Sequence, residues 1–366
     1  MSAVETGTFP LIYDGHNDTV ISLAGEGFDG PGGRSFYERA DKGHIDLPRA
    51  REGGLGGGFF AVMARPKPTA APSGSGRAIS DVGRGYSPES GWPPPMPLDE
   101  AQSDALIRLG RLFELERDSN GACKIVRTAA ELQHCLDNGI FAIQLHFEGA
   151  DPLDPDGQAL EVFYAAGLRS VGLTHFRQNI YCAGVPNIFP STPDIGDGLS
   201  DAGKELIRQL NRRKVLVDLS HANEKTFWDV AGITDAPLVA THSNAWEMSN
   251  TPRNLTDKQL AAVRESNGMV GLNYHCGFLR KDGEMNPDTP ISVMVDQLEY
   301  LIDKLGIDGV GLGSDFDGSM VPNELKDAAG LPKLMTQISE RGYDRAALTK
   351  IAHGNWVRVL GQTWGE

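Results

Sequence analysis

Histidine and acidic residues follow several short apolar runs in this chain of 366 residues. The first run is followed by DGHND at positions 14–18, and a later run ends in HFEG at positions 146–149. Further runs end in TH (174–175), DLSH (218–221), THS (241–243) and GSDFDG (313–318). Imidazoles and carboxylates coordinate metal ions and transfer protons in hydrolytic sites. The pattern therefore predicts a metal-dependent site assembled from distant parts of the chain.

The spacing of these residues predicts how they divide between two ions. His16 and Asp18 are two residues apart, so on a strand both side chains point to one side and can bind one ion. Glu148 has two carboxylate oxygens and is the best candidate for a bridge to a second ion. His221 and His242 would complete that second site. A set of nitrogen and oxygen ligands without thiolate suits zinc.

Eight apolar runs of strand length predict the elements that must position these side chains. Helical patterns lie between most of the runs, which indicates a parallel sheet, and eight such units predict a (β/α)8 barrel. In that fold the carboxyl ends of the strands meet at one mouth, where the active site is built. The predicted strands are 10–13, 58–63, 141–145, 170–173, 215–219, 238–240, 269–273 and 309–312.

The whole chain, residues 1–366, is predicted to be one barrel domain with a Pro/Gly-rich insertion at about 65–97. The insertion is either a surface excursion or a flap or dimer contact at the mouth. Helices are predicted at 98–117, with Asp99 as N-cap, and at 200–212, 256–266, 291–305 and 344–360.

Composition excludes several classes of function. The formal net charge of −15 argues against binding to nucleic acid or to anionic membranes, which need clustered basic residues. There is no run of 18 apolar residues and no secretion signal, so we expect a cytoplasmic protein without membrane attachment. The four cysteines are scattered and are expected to be free thiols.

Other histidines and acids have structural interpretations. His44, His134 and His353 are interpreted as hydrogen-bonded structural residues, and His146 as either a ligand or a partner of a ligand. Asp14 and Asp218 are expected to cap turns or to orient a ligand histidine, and Asp317 is expected to hold the turn at Gly318.

The motifs together resemble those of the renal (membrane) dipeptidase family, peptidase family M19. The resemblance rests on DGHND (14–18), FEG (147–149), LTH (173–175), VDLSH (217–221), THS (241–243), PRN (252–254), GLGSDFDG (311–318) and GNWVRVL (354–360). These motifs span nearly the whole chain in the order of the family.

This resemblance implies a barrel with two Zn²⁺ per chain that hydrolyses small dipeptides. The five metal ligands it implies are those reached above from spacing and chemistry. It further implies that His175 contacts the substrate carbonyl, that Arg253 pairs with the terminal carboxylate, and that Asp315 moves the proton. His275 stands where the family usually has a substrate-facing tyrosine. The family also suggests a homodimer, while side-chain preference and acceptance of a C-terminal D-residue stay open.

Three alternatives were weighed. A related barrel amidohydrolase could act on an N-acyl amino acid, a lactone or another small amide or ester, but that superfamily usually opens with His-x-His rather than the pair His16 and Asp18. A non-catalytic metal-binding accessory protein is disfavoured by the full ligand set. A nucleic-acid or protein-binding module is disfavoured by the charge balance.

Overall fold

The computed structural model describes residues 9–23, 34–65 and 94–365. Eight parallel strands form a ring, in which neighbours along the chain pair and β1 pairs with β9 to close it. The predicted (β/α)8 barrel is confirmed, and each predicted strand overlaps one in the ring. The ring strands are β1 (Ile12–Asn17), β2 (Leu55–Val62), β4 (Phe141–Glu148), β5 (Ser170–Gly172), β6 (Leu216–Asp218), β7 (Val239–Ser243), β8 (Met269–Leu272) and β9 (Val310–Leu312).

A ninth strand, β3 (Cys123–Ile125), lies outside this ring. It pairs with Phe141–Ile143 at the start of β4, while β5 pairs with His146–Glu148 at the end of the same strand. The other edge of β4 pairs with β2. The sequence analysis did not predict β3, because three residues centred on Lys124 do not form an apolar run.

Helices connect the strands around the outside of the ring. They are α1 (Thr19–Leu23), α2 (Leu47–Gly53), α3 (Leu98–Asp118), α4 (Ala129–Asn138), α5 (Gln158–Ala166), α6 (Asp201–Arg212), α7 (Glu224–Ala231), α8 (Asp257–Glu265), α9 (Cys276–Leu279), α10 (Ile291–Leu305), α11 (Leu331–Glu340), α12 (Arg345–Thr349) and α13 (Asn355–Trp364). A π-helical segment, Lys350–Gly354, joins α12 to α13. No helix in the described ranges is long and apolar enough to cross a membrane.

Helix starts follow local capping chemistry. The Thr256 hydroxyl accepts from the backbone N–H of Gln259, and the Gln259 side-chain oxygen accepts from the backbone N–H of Thr256. The helix α8 therefore begins with a capping box. Ser200 is the N-cap of α6, and its side chain accepts from the backbone N–H of Gly203. The prediction that Asp99 caps α3 is wrong: Pro97 occupies the N-cap position, and Asp99 lies in the first turn. A carboxylate there still favours the helix through its interaction with the helix dipole.

Trp356 of α13 packs beneath the floor of the barrel and is fully buried. A Cβ on Gly15 would lie 2.4 Å from the Trp356 ring and 2.5 Å from the carbonyl oxygen of Thr241. The Trp356 indole N–H also donates to the carbonyl of Leu312, at 3.2 Å. The glycine in β1 therefore allows close packing directly beside His16, and the terminal helix supports the site from below.

The predicted insertion at about 65–97 falls mainly on residues 66–93, which lie outside the described ranges. At its edges, Arg65 and residues 94–97 have no regular secondary structure, and α3 begins immediately afterwards at Leu98.

Candidate active site

The five predicted metal ligands meet around one carboxylate oxygen. Glu148, at the end of β4, places its Oε1 3.0 Å from Nε2 of His221, 3.5 Å from Nε2 of His16 and 3.6 Å from Nε2 of His242. Asp18 lies beside this group, with its Oδ2 3.6 Å from Nε2 of His16. The structure thus brings together residues that four different strands deliver to the mouth.

The turn after β6 explains how His221 reaches this position. The Asp218 carboxylate accepts from the N–H of Ser220, at 3.0 Å, which closes a tight turn after the strand. His221 then takes a left-handed backbone conformation, with a φ of 66°. This conformation is uncommon for a residue with a side chain and is typical of functional sites that the surrounding fold holds in place.

A second role of Asp218 is to orient His242. The Thr241 hydroxyl donates to Asp218 Oδ2 at 2.6 Å and lies 2.9 Å from Nδ1 of His242. Because that hydroxyl hydrogen goes to the carboxylate, its oxygen accepts from the His242 Nδ1–H. The Nε2 lone pair of His242 then faces Glu148, as a metal-binding imidazole requires. The expectation that Asp218 orients a ligand histidine agrees with this geometry.

Several ligand atoms at the centre have no hydrogen-bond partner among the described residues. They are both ring nitrogens of His16, Oδ1 of Asp18 and Oε2 of Glu148, and all are buried. Unpartnered buried groups of this kind are costly unless an ion coordinates them. Three groups that include Glu148 or Asp18 offer ligand atoms within 4.8 Å of one another: His16–Glu148–His242, Glu148–His175–His221 and His16–Asp18–Asp315.

The electrostatics of the centre fit a cation. Burial lowers the pKa of His221 and His242 well below the ordinary value of 6.5, which leaves neutral imidazoles with a free lone pair. Burial opposes charge on His16, but the negative charges of Glu148 and Asp18 raise its pKa to about 10. Burial and the neighbouring Asp18 raise the pKa of Glu148 well above 4.5. The donor set and its crowded carboxylates therefore fit divalent metal ions.

Asp315 lies at the mouth beside Asp18. Its Oδ2 accepts from the side-chain amide of Asn273 at 2.9 Å, and its backbone has a φ of 58°. A Cβ on Gly318 would lie 1.9 Å from Asp18 Oδ2 and 2.7 Å from Asp315 Oδ1, so the loop approaches both carboxylates closely. Burial raises the pKa of Asp315 to about 6, which lies close to neutral pH.

His175 and His275 line the same cavity as the predicted metal ligands. His175 Nε2 lies 3.7 Å from Glu148 Oε1, and its ring lies 4.4 Å from that of His221. The backbone N–H of His275 donates to Asn273 Oδ1 at 2.7 Å, and the His275 ring packs on Phe278. Both predicted substrate contacts are thus placed at the mouth.

Arg253 lies behind this wall rather than on the surface of the cavity. Its guanidinium donates to the carbonyl of His242 at 3.1 Å and lies 5.4 Å from the Phe278 ring. The side chain is buried, and its hydrogen bonds among the described residues go to the Ser243 hydroxyl and the His242 carbonyl rather than to an acidic side chain. The charge of Arg253 is compatible with the prediction that it binds a carboxylate, and the side chain lies beneath the wall of the cavity.

The cavity at the mouth has a volume of about 360 Å³. Its polar wall includes Asp18, Glu148, His175, His221 and Asp315, and its apolar wall includes Ile21, Met63, Phe176, Phe278, Met285 and Met320. A larger cavity of about 1020 Å³ lies at the opposite end of the barrel, near Ile12 and Leu55. The larger cavity contains none of the predicted ligands, so chemistry rather than volume identifies the site.

Sequence reasoning missed two residues at the mouth. His44, which was interpreted as structural, lines the cavity, and Asn273 holds Asp315. The strand-end position of Asn273 was a usable signal, whereas the position of His44 depends on a contact with a residue 273 positions away. His134 and His353 lie outside the cavity lining, as expected for structural histidines.

Comparison with known proteins assigns the family. Residues 6–364 match the family model of membrane dipeptidase, peptidase family M19. The chain belongs to the M19 peptidases. It is therefore a hydrolase of the dipeptidase class and of a metallopeptidase family, in agreement with the resemblance seen in the sequence.

Several known proteins resemble this chain over most of its length. A Rhodobacter sphaeroides metallopeptidase, liganded with a phosphinate mimic of the dipeptide L-Ala-D-Ala, is 42% identical with a TM-score of 0.87, covering 98% of this chain and 100% of its own. A Klebsiella pneumoniae protein from the pqqA 5′ region is 46% identical, covering 71% of this chain and 96% of its own. The dipeptidase tcpJ of Claviceps purpurea is 28% identical, and the match covers 95% of this chain and 76% of tcpJ.

Proposed function

We propose that this M19 peptidase is a zinc-dependent dipeptidase that uses two metal ions to hydrolyse the peptide bond of small dipeptides. The observation that carries the proposal is the position of Glu148, whose Oε1 lies within 3.7 Å of four imidazole nitrogens. Its second oxygen, Oε2, has no partner in the described part of the chain. A carboxylate placed in this way suits a bridge between two cations.

The residues present fit a pair of ions. His16 and Asp18 would hold the first ion, Glu148 would bridge, and His221 and His242 would hold the second. Bound zinc supplies a Lewis acid for the scissile carbonyl and lowers the pKa of a water toward about 7. Asp218 and Thr241 would keep the His242 tautomer that this ligation needs.

Asp315 is proposed to move the proton. It would accept a proton as water attacks and would return it to the departing amine, so its pKa should lie near the working pH. A pKa of about 6, raised by burial, meets that condition. Asn273 holds one oxygen of the carboxylate, which leaves the other oriented toward the cavity side of Asp18.

His175 and Arg253 are proposed to bind the substrate. His175 would donate to the carbonyl oxygen as negative charge develops there, which stabilises the transition state. The buried guanidinium of Arg253 would attract the terminal carboxylate, because a buried cation without an acidic partner gains most from one. His275 would contact the same end of the substrate, since its ring packs on Phe278 in front of Arg253.

The size of the site favours dipeptides. A volume of about 360 Å³ is at the small end for ligand pockets. Carboxylates of the cavity wall would bind the ammonium group of a short substrate, and the buried Arg253 near Phe278 would attract its terminal carboxylate. The phosphinate mimic of L-Ala-D-Ala bound by the Rhodobacter sphaeroides relative supports acceptance of a C-terminal D-residue.

A panel of substrates tests this proposal. The zinc-loaded protein should hydrolyse dipeptides with either stereochemistry at the C-terminal residue, and should leave tripeptides and N-acetylated dipeptides largely intact. Hydrolysis of lactones or N-acyl amino acids in preference to dipeptides would instead identify a related amidohydrolase. A protein that binds zinc and hydrolyses none of these compounds would identify an accessory protein.

A further inference from the structure

His44 is part of the wall of the cavity and is not among the proposed metal ligands, proton-transfer groups or substrate contacts. It lies in the connection between β1 and β2, shortly before α2. Its side chain is 22% exposed, and its ring packs against Phe316 at a centroid distance of 5.3 Å. The ring is therefore held at the mouth and reaches solvent through the cavity.

The orientation of the His44 ring is fixed by Asp317. The backbone N–H of Asp317 donates to Nδ1 of His44 at 2.7 Å, and the backbone N–H of His44 donates to Oδ1 of Asp317 at 2.5 Å. This reciprocal pair makes Nδ1 an acceptor, so the proton of the neutral ring is on Nε2. Burial also lowers the pKa of His44, which keeps the ring neutral.

The Asp317 carboxylate does not need a protonated His44 to balance its charge. Its Oδ2 accepts from the Thr19 hydroxyl at 2.8 Å and lies 3.5 Å from the guanidinium of Arg34. The Nε2–H of His44 has no hydrogen-bond partner among residues 9–23, 34–65 and 94–365. The Nε2–H of His44 thus remains available as a hydrogen-bond donor to a molecule that enters the cavity.

The position of His44 indicates which part of a dipeptide it would meet. Asp317 follows Asp315 by two residues, and the backbone at Gly318 comes so close to Asp18 and Asp315 that an added Cβ would meet both carboxylates. Because its ring is held by Asp317, His44 lies on the part of the cavity wall that also carries Asp315 and Gly318, where carboxylates would attract a substrate ammonium group. A dipeptide bound in this way would place its N-terminal residue beside His44.

We propose that His44 is a specificity-determining residue whose Nε2–H donates a hydrogen bond to an acceptor oxygen in the side chain of the N-terminal residue. The proposal rests on the dipeptidase function proposed above. This hydrogen bond favours dipeptides that begin with residues such as asparagine over dipeptides that begin with leucine. The leucine side chain has a similar shape but lacks the acceptor oxygen.

The test compares Asn-Ala with Leu-Ala, using the alanine stereoisomer that the wild-type zinc-loaded protein hydrolyses faster. In His44→Asn, the side-chain oxygen can still accept from Asp317, but the donor at the Nε2 position is lost. In His44→Gln, the side-chain NH2 of glutamine can take the place of the Nε2–H donor. His134→Asn, an exposed histidine on α4, is the matched control. Thermal unfolding midpoints establish that each variant folds.

We expect the ratio of kcat/KM for Asn-Ala over Leu-Ala to fall about fivefold in His44→Asn, as for one neutral hydrogen bond. His44→Gln and His134→Asn should keep most of the wild-type ratio. An unchanged ratio in His44→Asn, or an equal loss for both dipeptides, overturns the role of His44. If His44→Asn does not fold, a lowered ratio in His44→Gln overturns it. Wild-type protein that hydrolyses neither dipeptide overturns the proposed function itself.

Discussion

Glu148 lies at the centre of the proposed metal ligands. Its Oε1 lies among the imidazoles of β1 and β7 and the imidazole that follows β6, and its Oε2 has no partner among the described residues. Replacing Glu148 by a neutral residue would remove the negative charge that these imidazoles share. Asp18 would then be the remaining carboxylate at the proposed first metal site. The proposed chemistry of the site therefore starts from one buried carboxylate that is surrounded by imidazoles.

Asp315→Asn tests the proton transfer. The amide has the same shape and can still accept from Asn273, but it cannot take up a proton. We expect kcat to fall by about 10²- to 10⁴-fold with unchanged zinc content. Asp303→Asn, an exposed carboxylate on α10, is the control. Normal turnover by Asp315→Asn would remove Asp315 from the mechanism.

Arg253→Ala tests recognition of the substrate carboxylate. A charge-assisted hydrogen bond contributes roughly 1.5–3 kcal/mol, so KM for dipeptides should rise about 10- to 100-fold. Arg253→Lys keeps the charge without the planar fork and should give an intermediate value. Dipeptide amides, which lack the carboxylate, should show little difference between wild type and Arg253→Ala. A KM for free dipeptides that stays at the wild-type value would place carboxylate recognition elsewhere.

Much of the site was predictable at the scale of residues, because residue types at strand ends carry the signal. The pairs His16 with Asp18 and Thr241 with His242 follow apolar runs directly, and parallel strands deliver their ends to one mouth. His44 was not predictable, because its ring is oriented by Asp317, and no local pattern links residues so distant in sequence. The depth of Arg253 was hidden for the same reason, since it depends on packing against Phe278.

At the scale of elements, the ends of β6 and β7 act together. Asp218 at the end of β6 accepts from the backbone N–H of Thr241 at 2.8 Å as well as from its hydroxyl. Only one Cα pair, Asp218 with Val239, defines the register between these strands. The side chain of Asp218 therefore extends the pairing toward the mouth and aligns His221 with His242.

Thr241→Val tests this link. Valine has a similar shape but lacks the hydroxyl between Asp218 and His242, so the tautomer of His242 is no longer fixed. We expect zinc affinity to fall about 10- to 100-fold, measured by competition with a chelator of known affinity. Thr241→Ser retains the hydroxyl and should stay close to wild type. Equal zinc affinity in Thr241→Val and wild type would contradict the proposed relay.

The helices differ in how closely their bounds agree with the sequence prediction. The helix α10 agrees with its predicted bounds, because its periodic apolar residues are bounded by Pro290 and Gly306. The predicted helix at 344–360 is instead divided by the π-helical segment, which positions Trp356 under the barrel. Such a change in helical pitch responds to tertiary packing and has no counterpart in local propensity.

At the scale of the whole molecule, the closed ring separates a supporting end from a reactive end. The Trp356 indole closes the floor, where it meets β1 and the end of β9. The mouth holds buried carboxylates and imidazoles, which fold at a cost that the rest of the barrel must offset. Stability and chemistry are therefore supplied by opposite ends of the same strands.

Trp356→Ala tests the support from the floor. Loss of a fully buried indole and of its hydrogen bond to Leu312 should lower the free energy of unfolding by about 3–5 kcal/mol. The measurement is denaturant unfolding of the zinc-loaded chain. Trp228 on α7 has a side chain that is 40% exposed, so Trp228→Ala should lower the free energy of unfolding much less. Equal losses in the two variants would contradict the role given to Trp356.

The number of zinc ions bound per chain tests the central claim most directly. After dialysis against zinc and removal of excess metal, elemental analysis should find two equivalents in the wild type. Glu148→Gln should bind substantially less, and a chelator should abolish dipeptide hydrolysis that added zinc restores. One equivalent or none in active wild-type protein, or activity that survives complete metal removal, would contradict the two-metal account.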